Sequence, residues 1–506
     1  MKDPSRLYRW ILLVASLVTI GFLVSAAIRE NFLAEWYRVQ SEYREILRAK
    51  ATDEQGRALA RDFRIELKQA SVPPLKAVDR CVSCHNGIDD PRMTDVRKPH
   101  AVHPGDVLMK HPVDRFGCTV CHQGQGPATN FHDATASDAA WDYPLLDRNL
   151  TQSSCLACHD VDRLPPQQVA LVLEGRRLYQ EKSCGSCHKL ERRGGILGPA
   201  LDNEGAKTKH QLILTNLSPP HTTWRWHEAH FRDPGGIVPG SQMKNPTVTE
   251  HQALALTAFV LSLRQRDVPE SYLAPDKIEQ KARALHPQLV AGEQVYRQYC
   301  YACHGVGTYG RWDTTFKRFI PAVRGPSLLA TADAAYLEAQ IANGRPGTQM
   351  PAWDARAGGL QPGEIKALVD YLRTDRGALR PAQNASAPAP ARGDANRGAA
   401  IFIRYCAGCH GVGGHGGVAP ELANPTFQQA ASDAFIVTTI RNGRQGTAMP
   451  SFQPNVAGSR RLSDAEIADL LAFVRALGPA ARKPETAQAS HAPISAPANS
   501  AGGSPR

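Results

Sequence analysis

The sequence predicts a mainly α-helical protein with an N-terminal transmembrane helix, a compact segment and three small helical domains. Residues 10–28 are apolar and uncharged, as is typical of membrane-spanning helices. All twelve cysteines lie in six Cys-x-x-Cys-His units. Each of the last three units stands between two stretches of helical apolar spacing, which predicts small helical domains. A chain of 506 residues has room for about three or four domains.

The apolar run is expected to anchor the protein in a membrane. Its 19 residues would span about 28 Å as a helix, close to the thickness of the hydrocarbon core. Lys2, Arg6 and Arg9 precede it, so the positive-inside tendency places the start of the chain in the cytoplasm. The expected topology is a single pass through the inner membrane, with the later domains in the periplasm. A cleaved signal peptide is the alternative, because Ser-Ala-Ala at 25–27 could be a cleavage site.

Residues 29–74 are expected to form a helical juxtamembrane stalk. Apolar side chains recur there at helical spacing. They are Phe32, Trp36, Val39, Tyr43 and Ile46. The alternative is that this face docks a membrane partner.

The Cys-x-x-Cys-His unit is the attachment signature of haem c. Two thiols at this spacing can form thioethers with the two vinyl groups of one porphyrin, and the adjacent histidine then lies under the iron as its proximal ligand. The cysteines are Cys81, Cys84, Cys118, Cys121, Cys155, Cys158, Cys184, Cys187, Cys300, Cys303, Cys406 and Cys409. The proximal histidines are His85, His122, His159, His188, His304 and His410. Zinc sites, redox dithiols and disulfides are the alternatives, but six such units that use every cysteine favour six covalent haems.

The formal net charge of +11 says little about partners. A basic chain can bind nucleic acids or anionic membranes. Six haems would add about two propionates each, which brings the loaded protein close to neutrality. No nucleic-acid partner is therefore expected.

The last three units share an order of features. A proline segment follows the haem motif, at Gly198-Pro199, Gly325-Pro326 and Ala419-Pro420. A methionine then lies 59, 50 and 43 residues after the first cysteine, at Met243, Met350 and Met449. This order of helix, haem motif, proline loop, methionine loop and helix resembles class I cytochrome c. The resemblance implies that each methionine is the distal iron ligand and that each proline carbonyl fixes the proximal histidine. Three such domains are expected, at residues 166–266, 285–379 and 395–479.

Units five and six look like an internal duplication, because residues 341–353 match residues 440–452. Unit four departs from the pattern, since Lys244 follows its methionine where the other two have proline. Its loop also carries three histidines, His221, His227 and His230. A histidine ligand from this loop is one alternative to Met243, and a core-packing methionine is another.

The first three units are spaced 37 residues apart, which is too little chain per haem for an ordinary apolar core. The porphyrins are expected to form the core of a triheme domain at residues 75–165. Four histidines could supply its distal ligands, His100, His103, His111 and His132. We favour His103, His111 and His132; for each, the alternative is a surface or propionate-binding histidine. Around residues 116–126 the segment resembles the triheme membrane cytochromes that accompany bacterial quinol-oxidising complexes.

Residues 380–394 and 480–506 are rich in Ala, Pro and Ser, a composition typical of disordered segments. We expect a disordered linker and a disordered tail. Such a linker would let the last domain swing, so the sixth haem is expected to be a shuttle. The alternative is a fixed, packed domain.

These features predict an electron-transfer subunit, free-standing or part of an oxidoreductase complex, and not an enzyme. The three methionines and three of the four histidines would saturate six irons, which leaves no open position for a substrate. Electrons are expected to run from a membrane quinol-oxidising complex through the N-terminal haems toward a soluble cytochrome or terminal oxidase. The alternatives are a peroxidase or sulfur-compound oxidoreductase with one open haem, and a haem-based redox or gas sensor.

Overall fold

The computed structural model describes residues 4–136, 141–284, 290–374, 392–444, 447–453 and 461–478. The chain divides into two compact units. One is Met1–Gly305 with Gly358–Glu364, and the other is Val306–Ala357 with Ile365–Arg506. Within the described ranges the regular structure is nearly all helical, and each strand has only three residues. The predicted mainly α class is therefore confirmed.

The first of the two compact units combines a few long helices with many short turns. Its helices are α1 (Pro4–Phe32), α2 (Glu35–Lys50), α3 (Glu54–Asp62), α4 (Val107–Lys110), α5 (Val113–Phe116), α6 (Thr119–His122), α7 (Phe131–Thr135), α8 (Ala170–Glu181), α9 (Thr223–Arg232), α10 (Pro234–Ile237), α11 (Glu250–Ser262), α12 (Pro275–Ala284), α13 (Gly292–Val295) and α14 (Tyr301–His304). Strands β1 (Ala70–Val72) and β2 (Ala77–Asp79) pair antiparallel, with Ala70 opposite Asp79.

Among the described residues, α1 is the helix that is long and apolar enough to cross a membrane. Its most apolar window has a mean hydropathy of 2.6, and none of that window is buried in protein. A helix satisfies its own backbone hydrogen bonds, so lipid can cover such side chains at no polar cost. This supports a single-pass membrane anchor.

Helix α2 is not a free stalk. Its residues Val39 and Tyr43 are buried, and Tyr43 packs in one apolar cluster with Met93 of the triheme segment. The side-chain amide of Gln40 donates to the carbonyl of Ser83, inside the first haem motif, at 2.9 Å. Trp36, Val39 and Tyr43 of the predicted apolar face are therefore covered by the chain itself, whereas Phe32 is 62% exposed.

The fourth haem unit has the helix pair that the sequence predicts on either side of its motif. Helices α8 and α11 cross so closely that a Cβ at Gly175 would lie 2.0 Å from the carbonyl oxygen of Ala255. Only glycine fits at this crossing. Thr249 and Gln252 form a capping box at the start of α11, which satisfies two backbone N–H groups that the helix leaves free.

The second of the two compact units holds two related sets of helices. Its strands are β3 (Arg311–Asp313) and β4 (Arg318–Ile320), and its helices are α15 (Pro326–Leu329), α16 (Ala334–Asn343), α17 (Pro362–Arg373), α18 (Ala395–Tyr405), α19 (Ala407–His410), α20 (Pro425–Ala430), α21 (Asp433–Asn442) and α22 (Asp464–Ala476). The first three residues of α17 belong to the first unit. Helices α15 and α16 recur as α20 and α21, as the predicted duplication requires. In the second set α18 crosses α22 at Gly398, where a Cβ would lie 2.0 Å from the carbonyl oxygen of Asp469.

The two repeats pack against each other. The rings of Tyr336 in α16 and Phe435 in α21 are stacked with centroids 4.5 Å apart. The side-chain amide of Gln340 donates to the carbonyl of Thr426 at 3.1 Å. The structure thus supports the fixed, packed arrangement of the last domain and not the shuttle.

Two predicted segments lie largely or wholly outside the described residues. These are the linker at 380–394, of which only residues 392–394 are described, and the tail at 480–506. At the end of the linker, the Asp394 backbone N–H donates to the carboxylate of Asp469 at 2.6 Å.

Candidate haem-binding sites

A common turn shapes the haem motifs. In units one, two, three, four and six the histidine N–H donates to the carbonyl of the first cysteine over 2.8–3.0 Å. This helical turn brings residues three and four apart in sequence to one side of the backbone. All twelve cysteines are free of disulfides. The residues therefore fit a porphyrin held by two thioethers over one imidazole.

Burial lowers the pKa of four of the predicted proximal histidines, which favours the neutral imidazole. They are His85, His122, His188 and His410. Neutral imidazole is the form that binds a metal ion. In the part of the chain that the structure describes, His, Cys, Asp and Glu form no cluster of three or more that could hold a metal ion by themselves.

Units four and six hold the proximal ring through a proline carbonyl. Nδ1 of His188 lies 2.9 Å from the carbonyl oxygen of Pro199, and Nδ1 of His410 lies 2.8 Å from that of Pro420. A metal-binding histidine usually donates its second ring N–H in this way, which leaves Nε2 for the iron. The backbone of Gly198 lies so near the ring that a Cβ there would be 2.5 Å from His188 Cε1.

Pro326 does not match this role. It begins helix α15, and its carbonyl accepts a hydrogen bond from the Ala330 N–H at 2.9 Å. Its counterpart in the repeat is Pro425, which begins α20. Pro321 precedes Pro326 by the same number of residues as Pro420 precedes Pro425. The equivalent of Pro420 in unit five is therefore Pro321, which the sequence reasoning missed although the spacing could have shown it.

The first three haem motifs are joined by hydrogen bonds. Asp79, just ahead of the first motif, is fully buried. Its carboxylate accepts from the backbone N–H of Cys118 at 2.5 Å and of Thr119 at 3.0 Å, at the start of the second motif. Ser154, just ahead of the third motif, donates to the carbonyl of Cys121 at 2.8 Å. The three motifs therefore form one continuous structure.

Two of the predicted distal histidines face proximal ones. The ring centroids of His103 and His122 are 6.3 Å apart, and those of His111 and His159 are 6.0 Å apart. Nδ1 of each distal ring lies 3.0 or 3.1 Å from a backbone carbonyl oxygen, so Nε2 is left for a metal ion. A metal bound to two imidazole nitrogens at about 2 Å each holds the ring centroids about 6 Å apart.

The remaining two candidates differ in burial. The His132 side chain is 70% exposed, and its Nδ1 lies 3.4 Å from a carboxylate oxygen of Asp133. His100 is buried and stacked on Tyr43, and neither of its ring nitrogens makes a hydrogen bond to the described residues. A Cβ at Gly87, two residues after His85, would lie 2.1 Å from the carbonyl oxygen of His100. His100, the candidate set aside, thus lies nearer to the first motif than its sequence position alone indicated.

The histidines of the unit-four loop have different environments. His227 is buried, with Nδ1 2.8 Å from the carbonyl of Thr223 and Nε2 3.3 Å from the carboxylate of Glu204. His230 stacks on Trp226 with centroids 4.6 Å apart. Burial, and then the charges of neighbouring histidines, lower the pKa of His230 to about 4. Its buried Nδ1 has no hydrogen-bond partner among the described residues.

Lys244, which follows Met243 where the other two methionines are followed by proline, makes a hydrogen bond that a proline could not make. Its ammonium donates to the carbonyl of Ala302 at 3.3 Å, inside the fifth haem motif. The two motifs also meet at Gly185, where a Cβ would lie 3.0 Å from the ring of Tyr299. The residue after Met243 thus joins the methionine loop of unit four to the next haem motif.

Asp276 is a site residue that the sequence did not reveal. It lies in α12, between the domains that the sequence predicts at residues 166–266 and 285–379. Its carboxylate is 3.6 Å from Nδ1 of His159 and accepts from the Asp160 N–H at 2.8 Å. A carboxylate beside the second ring nitrogen makes a histidine ligand more basic.

Comparisons with known proteins place these sites in a family. The model described as cytochrome c oxidase, cbb3-type, subunit III matches residues 287–372 and 393–474, and the cytochrome c model matches residues 172–264. The cbb3-type cytochrome c oxidase subunit CcoP of a Rhodobacter capsulatus strain is 31% identical over 39% of this chain and 66% of its own length. The subunit FixP of a Bradyrhizobium species is 28% identical over 38% of this chain and 63% of its own length.

The match therefore spans just under two thirds of these relatives. A cytochrome c-553-like protein of a Synechocystis species is 37% identical over 17% of this chain and 71% of its own length. The matched residues include the Cys-x-x-Cys-His motifs of units four, five and six and the two proline-bound imidazoles, His188 and His410. The chain therefore belongs to the c-type cytochromes, as a membrane-anchored multihaem member with covalently bound haem c.

Proposed function

We propose that this chain is a hexahaem electron-transfer subunit, anchored by α1, with its haem domains in the periplasm. Each bound haem would supply a one-electron carrier. The observation that carries the proposal is the direct contact between successive haem motifs, through Asp79, Ser154 and Lys244. Cys155 of the third motif also packs on the core formed by α8 and α11. Five attachment motifs are thus linked within the first unit, the third to the fourth through the α8–α11 core and the fourth to the fifth through its methionine loop.

We further propose that His103 ligates the second iron and His111 the third, because their rings face the corresponding proximal rings. Met243, Met350 and Met449 are proposed as distal ligands of units four, five and six. His132 stays a prediction for the first haem, and the buried His100 is the competing candidate. A saturated set of ligands would favour electron transfer over substrate chemistry.

The purified protein is expected to contain six haems per chain by the pyridine haemochrome assay. Its oxidised form should show the near-infrared sulfur-to-iron band at about three equivalents, because three methionines and three histidines complete the irons. Replacement of Met449 by histidine should remove one third of that band and leave the haem count unchanged. A count below six, or a band absent from the unaltered protein, would contradict the proposal.

The partners are proposed from the topology and the relatives. Electrons would enter from a membrane quinol-oxidising complex and leave toward a terminal oxidase or a soluble cytochrome. The names of the CcoP and FixP relatives, subunits of cbb3-type cytochrome c oxidases, favour an oxidase as acceptor. Within such a complex the chain would be an oxidoreductase subunit that holds no substrate site of its own.

Purification of the tagged full-length chain from native membranes in mild detergent is expected to retain subunits of these respiratory complexes. A variant with residues 4–28 deleted behind a cleavable signal peptide is the control. It should lose the membrane partners but keep its haems, because α1 is separate from every haem motif in sequence. Recovery of only soluble partners with the full-length chain would argue against a place in a membrane complex.

A further inference from the structure

Arg266 joins the segment after α11 to the second haem motif. Helix α11 ends at Ser262, and Nη1 of Arg266 donates to the carbonyl of Val120 at 2.6 Å. Val120 is the residue before Cys121, the second cysteine of that motif. Two segments far apart in sequence thus meet where a cation binds the backbone of an attachment motif.

Arg266 and its neighbour Arg264 line a small cavity at the junction of the second and third motifs. The other lining residues are Gln123, Ser153, Ser154, Ala157, Leu261 and Ser262. Ala157 stands between the two cysteines of the third motif, and Gln123 directly follows the second motif. The cavity therefore places both guanidinium groups between two attachment motifs.

The charge of Arg266 acts on one cysteine of each motif. Burial raises the pKa of the Cys121 and Cys158 thiols, and the Arg266 charge is the next largest influence on both and lowers it. At Cys121 this charge acts more strongly than that of Asp79, whose carboxylate binds the start of the second motif. Burial lowers the pKa of Arg266 itself to about 10, so the group remains a cation at neutral pH.

The first motif has a neutral donor at the equivalent carbonyl. Ser83 is the residue before Cys84, and its carbonyl accepts from the side-chain amide of Gln40 at 2.9 Å. The hydrogen bond at this position therefore does not require a charge, which Arg266 supplies in addition. Among the described residues, moreover, neither Arg264 nor Arg266 forms an ion pair.

We propose that Arg266, with Arg264 beside it, raises the reduction potentials of the second and third haems. The inference rests on the proposed haem binding, in which Cys121 and Cys158 each hold a porphyrin by a thioether. Ferric haem carries one more positive charge than ferrous haem, so a nearby cation favours the reduced state. The cysteines bind the vinyl edge of a haem, which is opposite its propionates, so the charge acts on the porphyrin itself.

The test uses the full-length, haem-loaded protein with Arg266→Gln, which gives the second motif a neutral amide like that of Gln40. Redox titration followed by electron paramagnetic resonance is expected to show lower midpoint potentials for two haems without sulfur ligands. The equilibrium constant for reduction of each should fall roughly tenfold, as for one charge about 10 Å away in a partly desolvated site. The near-infrared sulfur band should titrate unchanged. Arg57→Gln is the matched control and should shift no potential, since Arg57 is also in the first unit but pairs with Glu54 at the exposed surface.

Two further variants separate the effect of charge from loss of folding. Arg266→Lys keeps the charge and should keep both potentials close to those of the parent. Arg264→Gln leaves the hydrogen bond to Val120 in place and should lower the same two potentials. The inference is wrong if Lys and Gln at position 266 shift the potentials alike, or if Arg264→Gln shifts neither. Fewer than six haems in the parent would instead refute the proposed function, whereas unshifted potentials in fully loaded variants refute only the present inference.

Discussion

Replacing His111 with alanine is expected to leave the iron of the proposed third haem without its sixth ligand. The His111 ring lies 6.0 Å from that of His159, at the separation of two imidazoles on one metal. The variant should therefore gain a high-spin ferric signal for about one haem and bind about one carbon monoxide per chain when reduced. The near-infrared sulfur band should not change, because the methionines are untouched. His103→Ala should have the same effects at the second haem, and the double variant should bind about two carbon monoxide molecules per chain.

The control for this pair is His210→Ala. His210 is also in the first unit, and its side chain is 76% exposed. It should remain low-spin and closed to carbon monoxide. If His111→Ala and His210→Ala show the same spin state and the same carbon monoxide binding, His111 is not an iron ligand. The same assay applied to His100→Ala and His132→Ala decides which of them serves the first haem.

Glu364→Ala is expected to destabilise the first unit by about 3–5 kcal/mol. The Glu364 side chain is 1% exposed and lies 2.6 Å from the Arg193 guanidinium. It also accepts from the backbone N–H of Val290 at 3.0 Å and of Gln361 at 2.9 Å. Its removal leaves the Arg193 guanidinium and two backbone N–H groups without their acceptor. Loss of one partner from a buried ion pair is strongly destabilising, because the other charge stays buried without compensation.

Denaturant unfolding followed by circular dichroism measures this loss. Glu181→Ala is the control, because its pair with Arg177 is exposed on both sides and should contribute at most about 1 kcal/mol. Burial opposes ionisation of Glu364, but the hydrogen bonds from Arg193, Gln361 and Val290 outweigh it and lower the pKa. The stabilisation is therefore present above the unfolded pKa of about 4.3, and it is lost as the pH falls through the lower folded pKa. A difference between variant and parent that persists at low pH would contradict this assignment.

The helices around the last three haem motifs could be predicted because their signals are local. The apolar stretches at residues 254–263, 365–372 and 467–477 coincide with α11, α17 and α22, and Leu263 and Leu477 are the C-cap residues of α11 and α22. Gly175 and Gly398 mark the helix crossings, because each stands where a carbonyl of the partner helix leaves no room for a Cβ. Local spacing was sufficient for these features.

The features that were missed depend on residues far apart in the chain. Asp276 comes beside His159 only after more than a hundred residues fold between them. The apolar face of α2 reads as a free surface until Met93 covers it. Pro326 was preferred to Pro321 because a Gly-Pro pair is a stronger local signal than a spacing shared with a later repeat. No pattern within one segment encodes such contacts.

The stacked pair Tyr336 and Phe435 has a consequence for the ancestry of the second unit. The two residues hold the same place in their repeats, so each repeat offers its partner the surface on which it is itself held. Such a self-complementary patch is the hallmark of an isologous dimer. A single-copy ancestor with this aromatic residue would have offered a second copy the same surface, and fusion of two copies would have made that dimer permanent.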